Sequence, residues 1–259
     1  MTAALEVKGI TKSYGAIQVA RDITIALQAG ERHALIGPNG AGKTTLVNIL
    51  SGTVTPNSGA ISLFGHDITK DSSAKRTRKG LIRTFQVSNL FKKLSVLENV
   101  FLAVSQKESA SFDFWTGAGK RRRLIERAEA VIDQLKLTDS INDRVSEIAY
   151  GRQRLVELAI ALALEPKVLL LDEPAAGIPH SETDILLDAV EGLPKHIAIL
   201  MIEHDMQIVR RFASNVTVLV SGAILMRGSP KDVMMSHQVR EVYLGRGGAD
   251  RFASDSLHA

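Results

Sequence analysis

The chain has 259 residues, 45% of them hydrophobic and none of them cysteine, with a formal net charge of +4. That length suits one large domain or a core with an appended lobe, and the missing cysteines exclude disulfides, thiolate metal sites and a thiol nucleophile. The charge excess is too small to indicate nucleic acid by itself, no apolar run reaches the ~20 residues needed to span a bilayer, and no charged-then-apolar secretory leader opens the sequence.

Residues 5–10 and 23–27 alternate in character and predict half-buried strands. A turn at 28–31 leads into 33–36, a short apolar run that reads as a buried strand. Gly37-Pro38-Asn39-Gly40-Ala41-Gly42-Lys43-Thr44 follows, the pattern G-x-x-x-x-G-K-[ST] of a phosphate-binding P-loop, and Thr45 opens a stretch to residue 50 that reads as a helix. A glycine-rich turn without a ligand is the competing reading. The strand before it and the helix after it favour the P-loop. The glycines let backbone N–H groups turn inward around phosphate oxygens. The helix start adds unpaired donors and the positive end of its dipole. Lys43 can bring a charge to the β- and γ-phosphates, and the Thr44 hydroxyl can ligate Mg²⁺.

A second turn at 55–59 precedes a strand at 60–64, so the first third predicts an antiparallel β layer joined to the P-loop unit. Two basic clusters, 75–79 and 120–123, read first as solvated helix surface and second as contacts for anionic lipid or an acidic partner. Residues 88–160 are mostly helical in pattern. One helix opens at 94–100, a second spans 124–135 with an apolar stripe, and 105–119 predicts a loop. Strand patterns return at 168–171, 197–202 and 216–220, separated by helical stretches at 182–190 and 206–212. That alternation predicts parallel βαβ units with both faces covered.

Two of these strands end on chemistry. The first runs into Asp172-Glu173. Carboxylates are costly to desolvate unless paired or bound to metal. With a P-loop upstream, Asp172 can hold Mg²⁺ while Glu173 polarises an attacking water. The bland alternative is a strand ending at solvent with two charges. The second strand runs into Glu203-His204-Asp205. Its histidine alone would be an ordinary surface or core group, but ligands gather at the carboxyl edge of parallel strands. His204 is therefore a candidate for contact with the γ-phosphate and for holding the water-activating acid.

These pieces together resemble the ATP-binding cassette (ABC) family of ATPases, over about residues 4–245. Gln86, in Thr84-Phe85-Gln86, stands at the family's Q-loop position. Tyr14 matches the aromatic that stacks on adenine. Ala149-Tyr150-Gly151-Arg152 stands within the signature segment, usually L-S-G-G-Q-Q-R, and His204 matches the switch histidine. The resemblance implies an α/β P-loop NTPase core at about 4–87 and 161–245, with an antiparallel β subdomain. A helical subdomain is inserted at about 88–160, and 246–259 forms a flexible tail. It implies Glu173, His204, Lys43 and Gln86 as catalytic residues. Tyr14, Gly37 to Thr45, and Ala149 to Arg152 would bind ATP. Thr44, Gln86 and Asp172 would serve Mg²⁺.

Departures from the family pattern point to a branch. The signature serine is Ala149, its first glycine is Tyr150, its first glutamine is Arg152, and Ala175-Ala176-Gly177-Ile178 lacks the usual D-loop aspartate. A-Y-G, D-E-P-A-A-G, I-E-H-D-M and the closing Tyr243-Leu244-Gly245 look like ATPase subunits of branched-chain amino acid importers. The partners so implied are transmembrane permease subunits, a second ATPase subunit (a copy or a sister chain) and, indirectly, a substrate-binding protein. The place implied is the cytoplasmic face of the inner membrane. Nucleic acid is not expected. The competing readings are a soluble ABC ATPase acting on nucleic acid or the ribosome, a small-molecule kinase, and a cassette of a lipid exporter or urea importer.

Overall fold

Continuous apolar strands and amphipathic helices alternate along a computed structural model, which describes residues 2–84, 90–108 and 118–244. In chain order, β1 (Leu5–Tyr14), β2 (Ile17–Leu27) and β3 (Arg32–Ile36) lead to α1 (Lys43–Leu50). β4 (Ser58–Leu63), β5 (His66–Asp67), α2 (Ser73–Arg78) and β6 (Leu81–Arg83) follow. Next come α3 (Val96–Lys107), α4 (Ala118–Gln134) and α5 (Tyr150–Ala163). The chain then runs through β7 (Val168–Asp172), α6 (His180–Glu191), β8 (Ala198–Ile202) and α7 (Met206–Phe212). It ends with β9 (Asn215–Val220), β10 (Ala223–Gly228), α8 (Pro230–Met235) and α9 (His237–Leu244).

The chain divides into two compact units, one of residues 1–81, 167–173 and 194–259, the other of 82–166 and 174–193. In the first unit, the described residues form an antiparallel sheet in the order β2-β1-β4-β5. A second sheet runs β10-β9-β3-β8-β7. In it β9, β3, β8 and β7 are parallel and β10 is antiparallel at the edge. Every residue of β7 and β8 is buried, as expected for strands covered on both faces. Burying each Leu, Ile, Val or Met there contributes about 1.5–3 kcal/mol. β1 and β2 instead alternate, sending Leu5, Val7, Ile10, Ile23, Ile25 and Leu27 into the same core as Leu46, Ile49 and Leu50 of α1.

In the second unit α3 packs against α4 and α5. Their buried faces carry Val96, Val100, Leu124, Ala128, Ile132, Leu155 and Leu158. Ser95 caps α3 through a reciprocal box with Glu98, each side chain bonding the other's backbone N–H. Arg127 of α4 pairs with both Glu108 and Glu165, tying the ends of its neighbours together.

The β and α classes agree with the mixed architecture expected, but several boundaries moved. α3 continues through Lys107 and α4 begins at Ala118, so both ends of the predicted loop at 105–119 are helical, and 109–117 lie outside the described residues. The cluster at 75–79 is not simply solvated surface, because Arg76 is 1% exposed. Its guanidinium donates to the carbonyls of Ile49, Leu50, Thr69 and Asp71. A cation thus satisfies the carbonyls left open at the end of α1, where the helix dipole is negative.

Candidate nucleotide-binding site

β3 stops at Ile36 because the glycine octet cannot continue the ladder. Gly42 has φ +101°, and a Cβ there would stand 2.4 Å from the Val19 carbonyl oxygen. Only glycine accepts both the backbone angle and the close passage of β2. Gly37 is as confined, with the Leu219 carbonyl oxygen 2.1 Å from a built Cβ. The loop is fixed from behind by the Gly222 N–H, which donates to the Ala41 carbonyl at 2.9 Å. Ala41 itself is buried. α1 starts with no side-chain cap and no acidic residue in its first turn. Its N-terminal donors and dipole therefore face outward uncompensated, next to exposed Thr44 and half-buried Thr45.

Lys43, at the first position of α1, is 7% exposed, and its Nζ donates to the carbonyls of Gly37 at 2.7 Å and Pro38 at 3.1 Å. The ammonium is thereby folded back over the loop. Burial pushes its pKa below the usual lysine range, and the nearby charges of Glu173 and Asp172 partly offset that. The P-loop lysine and the two strand-end acids therefore share one electrostatic site. Parallel register explains it: Asp172 pairs with Ile202 across β7 and β8, and Leu35 pairs with Ile202 across β3 and β8. The three strands end level, at the edge where open α/β sheets bind ligands.

Asp172 is 5% exposed at the end of β7. Glu173 turns the chain with φ +47° and donates its N–H to the Ile202 carbonyl at 3.0 Å. After β8, His204 is half-exposed, with Nδ1 3.8 Å from Glu173 Oε1. Glu203 between them is 1% exposed. Its Oε2 accepts the His204 backbone N–H at 3.2 Å and lies 4.0 Å from Nδ1. Reading the sequence did not single out Glu203, although an acid directly after an apolar strand was the available signal. Asp205 caps α7 by accepting the Gln207 N–H at 2.8 Å. Tyr14 stands half-exposed at the end of β1, paired with Ile17 across the β1–β2 hairpin, with Lys12 Nζ 5.2 Å from the ring centroid. Pro38, Asn39 and Gly40 form the rest of the loop. Gln86 lies outside the described residues.

The signature segment belongs to the other unit. Ala149 is the N-cap of α5 and offers no side-chain bond. Tyr150 is half-exposed and its hydroxyl accepts from Arg154 at 2.7 Å. Gly151 is buried, and Arg152 reaches to Ser140 Oγ at 2.5 Å.

A glycine cradle with its lysine, and two acids level with it at the carboxyl edge of a parallel sheet, define a P-loop nucleoside triphosphatase. Within that class the chain belongs to the ABC transporter family, whose model matches residues 20–176, more than half the sequence. It is an ATP-binding cassette, an ATPase by family. It is 36% identical over 248 residues to the high-affinity branched-chain amino acid transport ATP-binding protein BraF of Pseudomonas aeruginosa, covering 93% of this chain and 97% of that one. The corresponding LivG of Escherichia coli is 33% identical over 250 residues, with the same coverage. Among solved structures, a nucleotide-free ATP-binding cassette from an ABC transporter matches with a TM-score of 0.82 at 28% identity, covering 94% of this chain and 99% of that one.

Proposed function

We propose that the chain is the ATP-hydrolysing subunit that powers a membrane importer, with branched-chain or other amino acids as cargo. The observation that carries the chemistry is the level ending of β3, β7 and β8, which sets Asp172 and Glu173 at the same sheet edge as the loop that bears Lys43. The cargo class is supported by relatives of matching length whose names state it.

In this reading residues 4–245 work as one ATPase domain. Lys43 and the backbone of Gly37 to Thr45 hold the β- and γ-phosphates, and the exposed ring of Tyr14 takes the adenine. Glu173 orients and polarises the attacking water, and His204 steadies that acid while reaching the terminal phosphate. Thr44 and Asp172, with Gln86, would hold Mg²⁺, which would supply positive charge against the phosphates. The donor set fits this ion. Mg²⁺ keeps several waters and takes one or two carboxylates plus substrate phosphates, and Asp172 at the end of β7 and the exposed Thr44 hydroxyl at the start of α1 offer one carboxylate and one hydroxyl.

A second cassette, a copy or a sister chain, places its own Ala149, Tyr150, Gly151 and Arg152 over the nucleotide. Permease subunits supply the path through the membrane, since no described helix is long and apolar enough to cross one. A substrate-binding protein brings the cargo, and the cassette works on the cytoplasmic face. Binding and cleavage of ATP then shift the pair between closed and open forms, through the difference in nucleotide affinity between them. Capture of the tagged full chain from its native membrane, followed by mass spectrometry, is expected to recover polytopic membrane subunits. Recovery of ribosomal or nucleic-acid-binding proteins alone would contradict the transport role.

A further inference from the structure

One hydrogen bond fastens the start of α5 to the start of α6. Glu182, in the first turn of α6, accepts the Gly151 N–H at 2.9 Å, across 31 residues of sequence. A Cβ on residue 151 would stand 2.3 Å from that same carboxylate oxygen, so the missing side chain is what admits the acid. Ala149 has no hydroxyl to cap α5, and Glu182 supplies the acceptor from another element instead. Beside this bond the Tyr150 ring lies 3.6 Å from a Cβ built on Gly177. Arg154 holds that tyrosine by its hydroxyl at 2.7 Å and by its ring face at 5.0 Å.

The Gly151 amide is therefore a helix-start donor that already carries an anion. A phosphate arriving there would meet an occupied donor and a like charge within a few ångströms. Resting on the reading in which one copy's signature segment meets the terminal phosphate held by another, we propose that Glu182 is a latch. Its carboxylate occupies the Gly151 amide in the open chain, competes with the partner-held phosphate, and must swing away for the pair to close. Because Glu182 follows residues 174–179, where the usual aspartate is absent, the latch also links that segment to the signature segment. Its movement gives this chain a connection between the two that the missing aspartate does not provide.

The test follows ATP-driven pairing of the full chain in a Glu173→Gln background, by light scattering during an ATP titration without Mg²⁺. The latch predicts that adding Glu182→Ala lowers the half-maximal ATP concentration about tenfold, the scale of one charge-assisted hydrogen bond. Glu182→Gln should move it the same way by less, since its amide oxygen still accepts but carries no charge. Binding of a fluorescent ATP analogue to the unpaired chains should not change. An unchanged or raised ATP requirement in folded Glu182→Ala and Glu182→Gln chains would overturn the latch and leave Glu182 as a helix cap. A Glu173→Gln parent that binds nucleotide yet stays single at every concentration would overturn the sandwich itself, and the latch with it.

Discussion

Lys43 is buried by its own loop yet keeps two carboxylates as electrostatic neighbours. Phosphate oxygens would replace the carbonyls of Gly37 and Pro38 as its partners. Lys43→Ala is therefore expected to remove most ATP binding and turnover, and normal phosphate release from that variant would remove the P-loop assignment. Glu173→Gln keeps the shape of the strand end and loses the charge proposed to polarise water. It should bind ATP and hydrolyse it at least ~10²-fold more slowly, the scale of one well-placed transition-state group. Unchanged turnover would place the base elsewhere. At this scale the octet and the acids ending apolar strands could be read directly, because each is a local pattern with a stated partner chemistry. The contact of Glu182 with Gly151 could not be read, since neither residue carries a local sign of the other and only the folded second unit joins them. The departure at Ala149 was visible in the sequence, whereas its consequence, a cap borrowed from α6, was not.

Elements that were legible share one property: their hydrophobic period is uninterrupted. β7 is apolar up to its closing Asp172, β8 is apolar throughout, and α7 was predicted with the bounds observed. α2 was read only as solvated helix surface, because it is short and its only buried side chain is a cation. Arg76 is nonetheless the brace of the P-loop helix. Arg76→Ala leaves the Ile49 and Leu50 carbonyls without their cation and should cost about 2–4 kcal/mol. A urea midpoint within error of the parent, at unchanged slope, would refute that role. A second brace sits at the start of β3, where His33 is buried between Glu31 at 2.9 Å and Thr217 at 2.8 Å. Burial alone would raise the Glu31 carboxyl. Hydrogen bonds from His33, the Gln28 amide and Asn215 outweigh it and hold its pKa below the usual range. A carboxyl depressed in the folded state stabilises above its unfolded pKa and loses that contribution as pH falls through its folded value. The stability gap between the parent and Glu31→Gln should therefore shrink as pH drops below the ordinary carboxylate range. A gap that is flat from neutral pH to acid unfolding would contradict this.

The two compact units divide the chemistry of the whole molecule. One holds the cradle, the acids and His204; the other holds the signature segment and Glu182. In the proposed reading the site is completed by a second cassette, which for this chain by itself is a second copy, and that is the claim on which cradle, signature and latch together depend. Size-exclusion chromatography with light scattering and nucleotide quantification of Glu173→Gln, loaded with ATP in the absence of Mg²⁺, tests it most directly. The account predicts a particle of twice the single-chain mass carrying one uncleaved ATP per chain. A single-chain particle without nucleotide, at every protein and ATP concentration, would contradict it.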